Sequence, residues 1–150
     1  MKKFIALFLA VACILALAGC NNKTVNIDLP FGVEDVDNIE IYRFKGTPGH
    51  VEKKVVISEE DIKTVCDMFE RLSFTTQKAK ETAEATTTSF RFNLNDGTNY
   101  EMVYSCYGVK NGSLKSSTGN FEYFASADIG AAWGNVEPEA VQADASELPK

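Results

Sequence analysis

Histidine is nearly absent from this chain. His50 is the only one among 150 residues. A His-rich metal site is therefore excluded, and a Ser–His–Asp arrangement would depend on a single ring. Cations are in deficit: 15 Lys and Arg stand against 21 Asp and Glu, for a net charge of −6. Phosphate recognition needs clustered Lys and Arg, so nucleic acid is not an expected partner. G-x-G-x-x-G, the P-loop, H-E-x-x-H and C-x-x-C are all missing. Neither a cofactor nor a metal is expected. Hydrophobic residues are not scarce, however. At 45% they rule out wholesale disorder, and 150 residues suit one domain.

No long apolar run follows residue 20; one precedes it. Lys2 and Lys3 lead into Phe4 to Ala18, fifteen residues without a charge. That is the length of a signal-peptide apolar segment and falls short of the roughly 20 residues a bilayer-spanning helix needs. Leu17-Ala18-Gly19-Cys20 comes next. An aliphatic residue, two small residues and a cysteine in that order resemble the lipobox of bacterial lipoproteins. The resemblance implies diacylglyceryl attachment at the Cys20 sulfur and cleavage between Gly19 and Cys20. Two or three acyl chains anchor durably where one binds marginally, because each buried CH₂ contributes about 0.8 kcal/mol. The membrane would then be a partner through the lipid on Cys20, with the protein tethered outside the cytoplasm. The other reading of these residues is an ordinary secretory signal with an incidental cysteine.

The expected organisation is a signal peptide over 1–19 and a lipidated tether over 20–36. One domain follows over 37–136, then an unstructured acidic tail over 137–150. Processing would remove Lys2 and Lys3, leaving 13 cationic against 21 acidic side chains, or −8. Asn21-Asn22, Pro30 and Gly32 mark the tether. Glu137 to Lys150 carries Glu, Ala and Pro and no aromatic residue.

Ile39, Ile41, Tyr42 and Phe44 predict a strand over 38–45. Gly46-Thr47-Pro48-Gly49 predicts a turn, and Val51 to Ile57 a returning strand. Ser58 reads as a helix N-cap, with Glu59, Glu60 and Asp61 at the positive end of the helix dipole. Ile62, Val65, Cys66, Phe69 and Leu72 fall on one face of a helix over 59–72. Gln77 to Thr88 reads as a long exposed loop.

Phe90, Phe92 and Leu94 alternate with polar residues, as do Tyr100, Met102, Tyr104 and Cys106. Parity decides the turn between them. A two-residue loop would set Phe92 beside Glu101 and scramble the faces. A three-residue Asn95-Asp96-Gly97 loop with a left-handed Gly97 pairs Phe92 with Tyr100 and Phe90 with Met102. Arg91 then meets Glu101, a cross-strand ion pair worth roughly 0.2–1 kcal/mol. Asn111-Gly112 predicts a second hairpin turn before a strand near 113–118, and Phe121 to Phe124 a further strand. Ser126 to Trp133 suggests a short closing helix. The expected fold is α+β, in the order β-β-α-β-β-β. An antiparallel sheet of about five or six strands carries one central helix packed on one face, with a possible short C-terminal helix. This element order, behind a lipobox, resembles small lipoprotein domains of Gram-positive bacteria. The resemblance rests on element order alone and implies no reaction.

Cys66 on the helix and Cys106 on its strand both point into the layer between helix and sheet. They either form a disulfide or remain buried thiols acting as small hydrophobes. His50 follows a turn, where a lone histidine is usually solvated. Glu59, Glu60 and Asp61 diverge by about 100° per residue and do not converge on an ion. Arg91, Glu101, Val103 and Tyr107 share the sheet's far face, which is either a plain solvent face or an interaction face.

The expected function is a membrane-tethered, non-catalytic binding or interaction module for an envelope component or another protein. A small envelope-acting hydrolase and a secreted enzyme inhibitor are the alternatives. The sequence contains no catalytic constellation, which argues against an enzyme.

Overall fold

The structure, a computed structural model, describes residues 24–75, 84–108, 111–116, 122–125 and 129–149. It is mostly antiparallel sheet with a few short helices, an α+β fold. In chain order the strands are β1 (Thr24–Asn26), β2 (Val36–Lys45), β3 (Val51–Val56), β4 (Ser73–Thr75) and β5 (Thr86–Leu94). They continue with β6 (Asn99–Gly108), β7 (Asn111–Ser116), β8 (Glu122–Ala125) and β9 (Val141–Ala143). Helix α1 covers Glu59–Glu70 and α2 covers Ala132–Asn135. The spatial order is β1-β4-β8-β7-β6-β5-β2-β3-β9. A single register pair, Thr75 with Phe124, joins β4 to β8.

The β5–β6 hairpin follows the parity argument. Phe92 pairs with Tyr100, Phe90 with Met102 and Arg91 with Glu101. The Leu94 amide donates to the Thr98 carbonyl at 2.9 Å, and Gly97 has φ +84°. That backbone region disfavours residues with a Cβ. Asp96 Oδ1 accepts from both the amide (2.8 Å) and the hydroxyl (2.6 Å) of Thr98, which closes the loop.

Ser58 caps α1 by accepting the Asp61 amide at 3.2 Å. Ile62, Val65, Cys66 and Phe69 are buried in one core cluster with Ile39, Ile41, Phe90, Phe92, Met102, Tyr104 and Leu114. The Phe69 ring stands edge-on to Phe90 (centroids 5.1 Å apart) and to Phe92 (5.9 Å). This arrangement sets the positive edge of one ring on the negative face of the other.

Several expectations are corrected. Among the described residues the strands number nine rather than five or six, because β1, β4 and β9 are three-residue strands without readable periodicity. Asn111-Gly112 is not a turn: Asn111 pairs with Gly108 and Gly112 with Cys106, inside the β6–β7 ladder. Gly112 is there because the Tyr104 ring covers it; a Cβ would sit 2.5 Å from Tyr104 Cε2. Of the expected closing helix, 129–131 form a 3₁₀ turn followed by α2, and 126–128 lie outside the described residues. Thr86 to Thr88 belong to β5 and not to a loop; 76–83 lie outside the described residues. So do the lipobox and Cys20.

Both flanks of the expected domain are structured. Within 20–36, β1 pairs with β4, Ile27 is buried, and Val33–Asp35 forms a 3₁₀ turn. Within 137–150, β9 pairs with β3, setting Val51 opposite Ala143 and Lys53 opposite Val141. Otherwise β3 would leave a row of unpaired backbone groups at the sheet edge, which β9 satisfies.

Candidate binding face

Alternation on β2 sends Ile39 and Ile41 into the core and Glu40 and Tyr42 to the opposite face. The β2–β5 register then sets Glu40 opposite Arg91, and the β2–β3 register sets Tyr42 opposite Lys53. On β6 the same face carries Glu101 and Val103. Backbone pairing alone thus gathers two cations, two carboxylates and a phenol.

Arg91 is the hub. Its Nε donates to Glu101 Oε1 at 2.6 Å, and its Nη1 donates to Glu40 Oε2 at 3.0 Å and to the Tyr42 hydroxyl at 3.1 Å. Its Nη2 donates to the Glu147 carbonyl at 2.9 Å. Tyr42 donates its own proton to Glu40 Oε2 at 2.9 Å. Lys53 Nζ donates to Glu147 Oε2 at 2.6 Å and lies 3.6 Å from Glu40 Oε1. The Arg91 guanidinium and the Lys53 ammonium each lie 5.6 Å from the Tyr42 ring centre. These cation–π distances explain how a tyrosine off the core face is fully buried. Burial first, and the Glu40 hydrogen bond second, push its phenol above the ordinary value. The Glu147 hydrogen bond is the main cause that raises Lys53, and the same bond lowers Glu147.

The four far-face residues fare differently. Arg91 and Glu101 touch; Val103 lies opposite Ser89 and Lys115, half-buried. The Tyr107 hydroxyl, at the far end of β6, is 3.2 Å from Ser113 Oγ. The face is not simply open to solvent. Ser89 and Ser113 on it are buried, and residues 141–147 lie over Lys53 and Arg91. Sequence reading missed Glu40, Tyr42, Lys53 and Glu147. Their signal was the β2 parity, which separates Glu40 and Tyr42 from the two core isoleucines.

Cys66 and Cys106 are both unbridged. Cys66 is buried, whereas the partly exposed Cys106 thiol lies 3.5 Å from the Gly108 carbonyl. Burial, reinforced by Glu70 and Asp67, pushes the Cys66 thiol up to about 11. His50 lines an open cleft of about 450 Å³ with Arg43, Phe44, Lys45, Thr47, Glu52 and Thr86. Among the described residues no hydrogen bond or ion pair orients its ring. Among the described residues, too, no group of three His, Cys, Asp or Glu side chains could hold a metal ion. No protein-family model, curated protein or solved structure matches the chain.

Proposed function

We propose that this chain is a lipid-anchored protein facing outside the cytoplasm, whose folded body binds a partner and performs no catalysis. The observation that carries the reading is Leu17-Ala18-Gly19-Cys20 behind a fifteen-residue apolar run, with strand β1 following at Thr24. Three residues, Asn21 to Lys23, lie between Cys20 and β1, a span of four residue steps, and extended chain covers at most about 3.3–3.6 Å per step. The body therefore sits within about 14 Å of the acylated sulfur, close against the lipid headgroups. No helix among the described residues is long and apolar enough to cross a membrane. Membrane attachment in this reading falls to the lipid.

The binding role is supported by how the polar groups are used. Arg91, Lys53, Glu40 and Glu101 are all committed to one another or to residues 141–147. A catalytic acid or base needs a free, positioned proton site, and this network offers none. We also read α1 as lying across the core face of the sheet, a placement supported by the Phe69 contacts with Phe90 and Phe92.

Metabolic labelling with radioactive palmitate tests the anchor. The wild-type chain takes up label, and Cys20→Ala abolishes it. Undiminished labelling of that variant contradicts the reading.

A further inference from the structure

At Val136 the chain is held by the body of the protein. Val136 is buried, and Lys54 Nζ donates to the Trp133 carbonyl at 2.9 Å and to the Val136 carbonyl at 3.2 Å. The lysine also lies 5.3 Å from the Trp133 ring centre. A cation here satisfies the open carbonyls at the end of α2.

Beyond Val136 the character of the chain changes. None of residues 137–149 is buried, and Val141 on β9 is 55% exposed. The segment is held by three register pairs to β3 and by two hydrogen bonds that Glu147 accepts, from Lys53 and Arg91. A capping box, Asp144 with Glu147, shapes its 3₁₀ turn from within. Segments with few buried apolar contacts open at far lower cost than the core.

What the segment contributes to the body is specific. Backbone pairing goes to the outer edge of β3, a carboxylate to Lys53 and a carbonyl to Arg91. If it lifts away, β3 regains a free edge. Lys53 loses its closest carboxylate, and Arg91 Nη2 loses its acceptor. Lys53 on the open edge strand, with Arg91 two strands further in on the same face, suits strand addition by a peptide, with main-chain bonds giving affinity and an acidic side chain giving specificity.

We propose that the β3 edge, with Lys53 and Arg91, is a docking site for an acidic, extended peptide of a partner protein. Residues 141–147 fill this site in cis as a displaceable strap. This deepens the binding-module reading and rests on it, independently of the lipid. Tethering gives the strap an effective concentration in the millimolar range, so a partner must outcompete it. The strap thereby sets a threshold for binding.

The test uses the full chain in detergent and a fluorescent peptide with the sequence of residues 137–150. In the chain, Ala143→Pro removes a β9 N–H that the register turns toward Val51 of β3, and Glu147→Ala removes the carboxylate. That double variant binds the peptide at least tenfold more tightly than the wild type. Adding Lys53→Gln, or placing Gln at the Glu147 position of the peptide, weakens binding at least tenfold. Equal binding by wild type and double variant overturns the proposal, as does indifference to Lys53→Gln. Trp133 emission reports whether the double variant keeps its body folded. Should it not, hydrogen exchange on the wild-type chain decides. Amides of Val141 and Ala143, which the register turns toward β3, exchange at least a hundredfold faster than those pairing β2 with β5, and equal rates overturn the proposal. A dimer formed by strap exchange between two copies overturns the partner peptide in favour of self-association. Failure here, with an envelope protein still retained by the wild-type chain, removes this site and leaves the binding-module reading standing.

Discussion

Arg91 and Glu101 face each other across β5 and β6, with Nε and Oε1 2.6 Å apart. The pair is half-buried, so solvent screens it only in part, and Arg91 also holds Glu40, Tyr42 and Glu147. Arg91→Ala leaves two carboxylates and a buried phenol short of a donor. The expected loss is about 1–3 kcal/mol in a urea melt. Arg91→Lys recovers part of it, because an ammonium cannot reproduce the guanidinium fork. A loss within about 0.5 kcal/mol of zero, the spread of inert surface changes, contradicts the hub role.

The strap responds to pH in a definite direction. Glu147 is held below its ordinary value of 4.5, chiefly by the Lys53 hydrogen bond. Its contribution is therefore complete above that value and is lost as pH falls through the lower folded one. Lys53 is raised above 10.5 by the same bond, so its contribution is complete below 10.5 and lost as pH rises through the folded value. Both charges support the strap between about 4.5 and 10.5. After correction for intrinsic rates, exchange at Val141 and Ala143 should rise in acid below that window, and Glu147→Gln should flatten the rise. A pH-independent rate contradicts the bond's role.

Gly112→Ala should destabilise the β6–β7 ladder. The new methyl would stand 2.5 Å from Cε2 of the buried Tyr104 ring. Overpacking of this kind costs about 1–3 kcal/mol. Tyr104→Leu in the same chain removes the clash and reduces the penalty of Gly112→Ala, which a double-mutant cycle measures. Independent, additive effects contradict the close approach.

The two thiols should differ in reactivity. With its thiol at about 11, buried Cys66 carries little thiolate at pH 8. Peptide mapping after brief alkylation of the folded chain should find Cys106 modified and Cys66 protected until denaturant is added. A Cys66–Cys106 disulfide peptide, or equal labelling, contradicts the unbridged arrangement.

Much of this fold was legible in the residues. The β5–β6 register followed from parity, because a one-residue slip exposes Phe90 and Phe92 together. Helix α1 followed from spacing and from Ser58. Three-residue strands were not legible: Thr24–Asn26 and Val141–Ala143 are too short to show alternation and owe their state to the edges they cover. The charge network was half legible. Arg91 and Glu101 are hairpin neighbours, but Glu40 reaches Arg91 from 51 positions away, and Lys53 reaches Glu147 across 94. An acidic, aromatic-free tail looks solvated until a lysine and an open strand edge are placed beside it.

The most direct measurement is the mass of the amino-terminal peptide of the protein isolated from membranes. The account predicts a chain that begins at Cys20 and carries a diacylglyceryl group on sulfur. An unacylated Cys20, or a chain cut elsewhere, contradicts it.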